Sequence, residues 1–145
     1  MTKKSKPFKK VIIITLSFAS ALVLGYFGIN QLFTLSLEEE LTKLATELNK
    51  RVPMKIDEFM RLDSATTIGE TNFIYHYTII GIEENGISAD TIRNHIRPQL
   101  IDYVKSSEDL KPFRDNSVTL DYKYYNEKGK LATEISVGPG IYNER

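Results

Sequence analysis

The side chains that carry out most protein chemistry are sparse in this sequence of 145 residues. Cysteine is absent, which excludes a thiol nucleophile, a disulfide and a cysteine-based zinc site. The two histidines, His76 and His95, fall in a predicted strand and a predicted helix, and they lack the spacing of paired metal ligands. We therefore predict structural roles for both histidines, and no bound metal or other cofactor.

Two pairs of adjacent acids flank a predicted hairpin, Asp57 with Glu58 and Glu83 with Glu84. Paired carboxylates can act as acid and base across a cleft, but adjacent acids at strand ends are usually solvated loop residues. The eight glycines form no phosphate-binding fingerprint. Because no nucleophile, base or metal cluster is visible, we predict that the protein is not an enzyme and assign no catalytic residue.

Tyrosine is the one chemically useful residue that is abundant, with eight copies. Tyr122, Tyr124 and Tyr125 lie close together in a predicted C-terminal hairpin. Exposed tyrosine is a common contact residue in protein interfaces, so these three are predicted as a possible protein-contact site. Packing in the core is the competing and more common role for such residues.

Charge is distributed unevenly along the chain, although the net charge is zero. Residues 1–10 contain five lysines and no acid. The remainder holds fourteen Lys and Arg against all nineteen Asp and Glu, a net charge of −5. An acidic domain lacks the basic patch that neutralises phosphates, so we predict no nucleic-acid partner.

Residues 11–29 carry no charge and, as a helix, would span about 28 Å, close to the hydrocarbon thickness of a bilayer. The lysines precede this run and three glutamates follow it, and positive residues remain inside. We therefore predict a cytoplasmic basic tail over 1–10, a transmembrane helix over 11–33 and an extracytoplasmic C-terminal domain. The predicted location is the inner membrane, as an uncleaved, single-pass signal anchor.

Two other interpretations of the apolar run remain open. A cleaved signal peptide fits the lysine-rich start and the small residues around Ala21, although Leu22 to Leu24 continue the apolar run beyond that point. A buried core helix is the third interpretation.

The elements of the outer domain follow from periodicity. Ser36 and Glu39 form a capping box before a helix with leucines at helical spacing, and Pro53 follows it. Alternation predicts a weak strand over 58–68, a central strand over 73–82 and a final hairpin over 118–137. Ile92, Ile96, Leu100 and Val104 predict a second helix, which Pro98 should kink or split.

This order, α-β-β-α-β-β, predicts an α+β fold behind the transmembrane helix. We expect a two-layer domain over 34–137, with a four-stranded antiparallel sheet and two helices on one face. The residues after the last strand, 138–145, are predicted to form a flexible tail.

The C-terminal third has a recognisable pattern. A helix with Arg97-Pro98-Gln99-Leu100 leads to Asp109-Leu110-Lys111, a strand, a Lys128-Gly129 turn and a final strand. This resembles small periplasmic α+β proteins, including the beta-type pilotins of type II secretion systems, which escort an outer-membrane secretin. The chain lacks the cysteines of that family, including the lipid-modified one. The resemblance implies the fold and an exported location, and no functional residue is carried over.

We therefore predict a bacterial membrane-anchored accessory domain that binds another envelope protein, through the exposed face or an edge of its sheet. The first alternative is a ligand-binding or enzymatic domain with a pocket near the Pro98 helix. The second is an immunity-type protein that protects the membrane against a toxin.

Overall fold

The computed structural model describes residues 36–81 and 88–145. This part of the chain contains one five-stranded sheet, four α-helices and a short 3-10 helix. In chain order the elements are α1 (Leu37–Asn49), β1 (Met54–Lys55), β2 (Met60–Ile68), β3 (Asn72–Ile79), α2 (Ala89–Ser106), the 3-10 helix (Glu108–Leu110), α3 (Lys111–Asp115), β4 (Thr119–Tyr125), β5 (Leu131–Val137) and α4 (Pro139–Tyr142).

The start of α1 confirms the predicted capping box. The Ser36 hydroxyl accepts a hydrogen bond from the Glu39 amide at 3.3 Å, and the Glu39 carboxylate accepts one from the Ser36 amide at 3.2 Å. At the other end of α1, the side-chain amide of Asn49 donates to the Ala65 carbonyl and accepts from the Ala65 amide, both at 2.8 Å. Asn49 thus attaches the helix to the backbone of β2.

The strand order is β1-β2-β3-β4-β5, and β3 pairs with β4 in parallel while all other pairs are antiparallel. The predicted four-stranded antiparallel sheet is therefore wrong on both counts. β1 has only two residues, too few to show a period in the sequence. Because α2 connects β3 to β4, the chain returns to the same end of the sheet before β4 begins, which makes these strands parallel.

One face of the sheet packs against the helices and forms the core. Alternate residues of β3, from Phe73 to Ile79, point into it, and each is at most 1% exposed, as the alternation predicted. Helix α2 contributes its predicted stripe from Ile92 to Val104, all buried. The predicted central position of β3 is confirmed, since it is third of five strands.

Four tyrosines lie at the centre of this core. Tyr75 stacks on Tyr122 with ring centroids 5.2 Å apart, and Tyr77 stacks on Tyr124 at 5.6 Å, each pair joined across the parallel β3–β4 ladder. Burial raises the pKa of Tyr75, Tyr122 and Tyr124 well above the ordinary value, so these phenols remain neutral.

Helix α2 runs without interruption through Pro98, so the predicted split near Arg97 does not occur. Proline cannot supply the amide that would bond to the carbonyl four residues earlier, which belongs to Asn94. Both Pro98 and Asn94 are exposed, and water can satisfy that carbonyl.

The residues after β5, predicted as a tail over 138–145, include the helical turn α4. Tyr142 in this turn is 7% exposed and belongs to the core. Its hydroxyl donates to the carbonyl of Val118 at 3.0 Å, which ties the chain end to the start of β4.

The prediction of a transmembrane helix is contradicted by the described part of the chain. No helix there combines the length and apolar composition needed to cross a bilayer. The longest described helix, α2, has 18 residues and contains acids and bases along its length. The predicted tail 1–10 and span 11–33 themselves lie outside the described residues. The described residues therefore form a mixed five-stranded sheet with four α-helices, and not the predicted four-stranded antiparallel sheet with two helices.

Candidate interaction surface

The described helices contribute to the core on one face of the sheet, and we call the opposite face of β2–β5 the helix-free face. Its side chains follow from the strand register, in which Thr66, Ile74, Asp121 and Ser136 form one row across the sheet. The face is largely polar. Its residues are Arg61, Asp63, Ser64, Thr66 and Ile68 of β2; Asn72, Ile74, His76 and Thr78 of β3; Thr119, Asp121, Lys123 and Tyr125 of β4; and Leu131, Glu134 and Ser136 of β5.

His76 links three strands of this face. Its Nε2 lies 2.7 Å from the Thr66 hydroxyl on β2, and its Nδ1 lies 3.1 Å from the Tyr125 hydroxyl on β4. The His76 and Tyr125 rings also stack, with centroids 5.8 Å apart and an interplanar angle of 26°. Both ring nitrogens are therefore engaged by hydroxyl groups, and the ring is held in one orientation.

The surroundings of His76 favour its neutral form. Partial burial lowers the pKa of His76, and the nearby Lys123 ammonium lowers it further, while Asp63 and Glu134 act in the opposite direction. A neutral imidazole presents one donor and one acceptor, which matches its two hydroxyl neighbours.

A second polar group lies beside the first, where β2 carries a bulge at Asp63. The Asp63 carboxylate accepts hydrogen bonds from the Arg61 guanidinium and the Thr78 hydroxyl. The Arg61 guanidinium also reaches the Thr78 hydroxyl at 3.4 Å. The bulge places the extra residue where its carboxylate bridges two neighbours.

Further pairs extend the network across β3, β4 and β5. Asn72 donates its side-chain amide to the Asp121 carboxylate at 3.1 Å. Lys123 and Glu134 face each other at 3.9 Å across the β4–β5 ladder. Side chains that bond across strands in this way hold a surface in a fixed arrangement.

The polar side chains of this face bond to one another across strands, as in a preformed recognition surface. Among the described residues, no group of three or more His, Asp or Glu side chains could hold a metal ion. His76 contacts two hydroxyl groups, those of Thr66 and Tyr125, and neither is the carboxylate that commonly orients a histidine base.

The three tyrosines predicted as protein contacts are divided by the alternation of β4. Tyr122 and Tyr124 are fully buried among the core rings, whereas Tyr125 is partly exposed on the helix-free face. Across the ladder Tyr125 is paired with Leu131, which is 44% exposed. The structure therefore brings only Tyr125 of the three to a surface that another protein can reach.

The other residues considered in the sequence have local roles where the structure describes them. His95 is exposed, and its Nδ1 lies 2.9 Å from the Thr91 carbonyl in the same helix. Asp57 accepts a hydrogen bond from the Phe59 amide at 2.6 Å. Glu83 and Glu84 lie outside the described residues.

Sequence reasoning did not identify the contact of His76 with Thr66 and Tyr125. The alternation of β3 grouped His76 with Ile74 and Thr78 on one face of the strand, which was the available signal. Its two hydroxyl partners are 10 and 49 residues away in the chain, and only the strand register brings them together.

A groove of about 400 Å³ lies at the edge of the sheet, between α2 and β5. Arg93 and Arg97 line it from the helix, and residues 134–136 line it from the strand. The alternative prediction placed a pocket near the Pro98 helix. Arg97, which lines this groove, directly precedes Pro98 in the chain.

A family model described as a domain of unknown function (DUF8479) matches residues 36–133. No curated protein matches the chain. Three solved structures share its fold. A Pseudomonas aeruginosa protein that is thought to be secreted is 21% identical with a TM-score of 0.61, and the match covers 73% of this chain and 92% of that one.

The other two structures are pilotins of type II secretion systems. The Vibrio vulnificus pilotin is 11% identical with a TM-score of 0.61, covering 75% of this chain and 94% of that one. The Vibrio cholerae pilotin is 14% identical with a TM-score of 0.55, covering 72% and 91%. The predicted resemblance to pilotins is confirmed at the level of the fold. The predicted single-pass location in the inner membrane is contradicted by the described residues, among which no helix is long and apolar enough to cross a bilayer.

Proposed function

We propose a function from the fold and the helix-free face, because the chain belongs to the family described as a domain of unknown function (DUF8479) and that description states no activity. The protein is an accessory domain that binds another protein of the cell envelope. The helix-free face makes the contact, with Tyr125 in the row at one end of it, beside Thr78 and Leu131. The function is binding and not catalysis.

The observation that carries this proposal is the order of the face before any partner binds. His76, Thr66 and Tyr125 hold one another across three strands, and the Asp63 carboxylate joins Arg61 to Thr78. A surface whose side chains are already held loses little conformational entropy on binding. Tyrosine contributes a large contact area with few rotatable bonds, which suits Tyr125 to an interface.

The fold supports the same class of function. Two of the three structures that share it are named as pilotins of type II secretion systems, and a pilotin-like fold suggests a role in contacts with envelope proteins. The exposed apolar side chains beside the polar network, Ile68 at 63% and Leu131 at 44%, add contact area that a partner can cover.

Site-specific photocrosslinking in living cells tests the proposal. A benzophenone amino acid would replace Ser64 or Ile68, a partly exposed and an exposed position of β2 on the helix-free face, in the full-length protein at native expression. The matched control is Thr42, an exposed position on α1. We expect both face positions to give the same discrete protein adduct and Thr42 to give none. Equal adducts from all three positions, or none from the face, would contradict the proposal.

The contribution of Tyr125 is measured on the same adduct. Replacing Tyr125 with Ala should reduce its yield about tenfold, because truncating an aromatic side chain that a partner covers should cost about 1.4 kcal/mol. Tyr125→Phe retains the ring but removes the hydroxyl that contacts His76, and it should have the smaller effect. An unchanged yield in Tyr125→Ala would remove Tyr125 from the contact.

A further inference from the structure

The outer edge of β5 is a second surface that can recognise a protein. β5 is the last strand of the sheet, so the side away from β4 has no neighbouring strand. An unpaired edge of this kind presents amide and carbonyl groups to any extended chain that approaches it.

The direction of these backbone groups follows from one contact. Arg93 Nη2 donates to the Glu134 carbonyl at 3.2 Å, which shows that the peptide groups of Glu134 point outward. Because peptide groups alternate in direction along a strand, those of Ser136 point outward as well. Among the described residues, nothing bonds to the amide of Glu134 or to the amide and carbonyl of Ser136.

The groove beside this edge has a positive wall. Arg93 and Arg97 are four residues apart on α2, so they share one side of the helix, and both are exposed. Arg97 forms no hydrogen bond or ion pair with any other residue in the described ranges. The one acid that lines the groove, Glu134, has its carboxylate 3.9 Å from Lys123.

The spacing of the two arginines matches an extended peptide. Residues four apart on a helix are separated by about 6 Å along its axis. Side chains two apart on a strand point the same way and are separated by about 6.7 Å. A segment with acids at alternate positions can therefore bond its backbone to the edge of β5 and place one carboxylate near each arginine.

We propose that the groove between α2 and β5 binds an extended acidic segment of a partner protein, which adds to the sheet as a sixth strand. Backbone hydrogen bonds to Glu134 and Ser136 provide affinity, and Arg93 and Arg97 select for alternating acids. The inference rests on the proposed binding function, but it uses the outer edge of β5, which is three strands away from β2.

The test uses full-length, ¹⁵N-labelled protein and a capped seven-residue peptide in which aspartate alternates with threonine. We expect saturable chemical-shift changes at the amides of Glu134 and Ser136, with little change at Thr66. A peptide with lysine in place of aspartate should not bind. The same acidic peptide N-methylated at alternate residues, so that it cannot pair with the edge, should also fail.

Charge reversal provides the matched variant. Arg97→Glu should lower the affinity for the acidic peptide at least about tenfold and should allow the lysine peptide to bind. Arg51→Glu, which reverses another exposed arginine outside the groove, should change neither affinity. Equal thermal unfolding of both variants shows that the fold is intact.

Three results would overturn the inference. They are no saturable shift with the acidic peptide, full affinity of the N-methylated peptide, and equal shifts with succinate alone, which would indicate a small-anion site. The crosslinks from Ser64 and Ile68 test the helix-free face separately, because those positions lie on β2, three strands away from β5. A failure of the groove and a failure of the proposed function can therefore be distinguished.

Discussion

The buried tyrosines differ in whether their hydroxyl group forms a hydrogen bond. The hydroxyls of Tyr75, Tyr122 and Tyr124 are buried without a hydrogen-bond partner in the described structure, whereas the Tyr142 hydroxyl donates to the Val118 carbonyl. A buried polar group without a partner loses its bonds to water on folding and gains nothing in return. The rings of Tyr75, Tyr122 and Tyr124 therefore stabilise the core in spite of their hydroxyls.

Replacing Tyr122 with Phe tests this difference. The substitution removes a buried hydroxyl and keeps the stacked ring, so the free energy of unfolding should be unchanged or higher by up to about 1 kcal/mol. The matched control is Tyr142→Phe, which removes a bonded hydroxyl and should cost about 1 kcal/mol. Urea unfolding measures both. A loss of stability in Tyr122→Phe as large as that in Tyr142→Phe would show that its hydroxyl is satisfied.

His76 makes stability depend on pH. Its pKa in the folded state is lowered, by partial burial first and by Lys123 second, below the value near 6.5 of an unfolded chain. As the pH falls below that value, the unfolded chain binds a proton that the folded chain does not, so stability decreases. The contribution is fully present above the unfolded pKa and is lost as the pH falls through the window down to the folded pKa.

The measurement is urea unfolding at pH 8 and at a series of lower pH values. The free energy of unfolding of His76→Gln should decrease less than that of the wild-type protein between neutral and mildly acidic pH. His95→Gln, which changes an exposed histidine, should follow the wild-type curve. Parallel curves for all three proteins would show that His76 titrates alike in both states.

At the scale of elements, α1 does more than cover the core. The Asn49 side chain bonds to both peptide groups of Ala65, beyond the two-residue pairing of β1 with β2. This side chain satisfies part of an edge that β1 is too short to cover. Asn49 of α1 and the short strand β1 therefore each bond to part of the outer edge of β2.

Asn49→Ala should therefore destabilise the domain by about 1–3 kcal/mol, because it leaves the amide and carbonyl of Ala65 without partners. Asn94→Ala makes the same chemical change at an exposed site of α2 and should alter stability by no more than about 0.5 kcal/mol. Urea unfolding of the two variants checks the difference. Equal effects would show that the Asn49 contacts add nothing.

At the scale of the whole molecule, α4 packs the C-terminal end of the chain against the rest of the domain. Tyr142 packs into the core beneath β4 and bonds to Val118, so the last residues belong to the folded unit. We expect residues 36–145, produced without residues 1–35, to unfold as one cooperative unit.

Removing the chain end tests this boundary. A protein ending at residue 137, where the sequence predicted the domain to end, should be less stable than 36–145 by about 2–3 kcal/mol, since it loses a buried aromatic side chain and its hydrogen bond. Thermal and urea unfolding compare the two. Equal stability would mean that 138–145 is a dispensable tail, as the sequence analysis expected.

The sequence by itself determined the local features. The capping box at Ser36, the core faces of β3 and β4 and the buried stripe of α2 each depend on spacings of a few residues, which the sequence displays directly. The pilotin-like fold was also accessible, from a pattern in the C-terminal third.

The tertiary structure decided which distant residues meet. The parallel pairing of β3 with β4, the pairing of β1, the three-strand contact of His76 and the groove beside Arg97 all join segments far apart in the chain. Strand register and direction arise from packing of the whole sheet, because one periodic pattern is compatible with several neighbours. For the same reason alternation placed Tyr122, Tyr124 and Tyr125 on a strand, and only the packed sheet showed that Tyr125 alone reaches the surface.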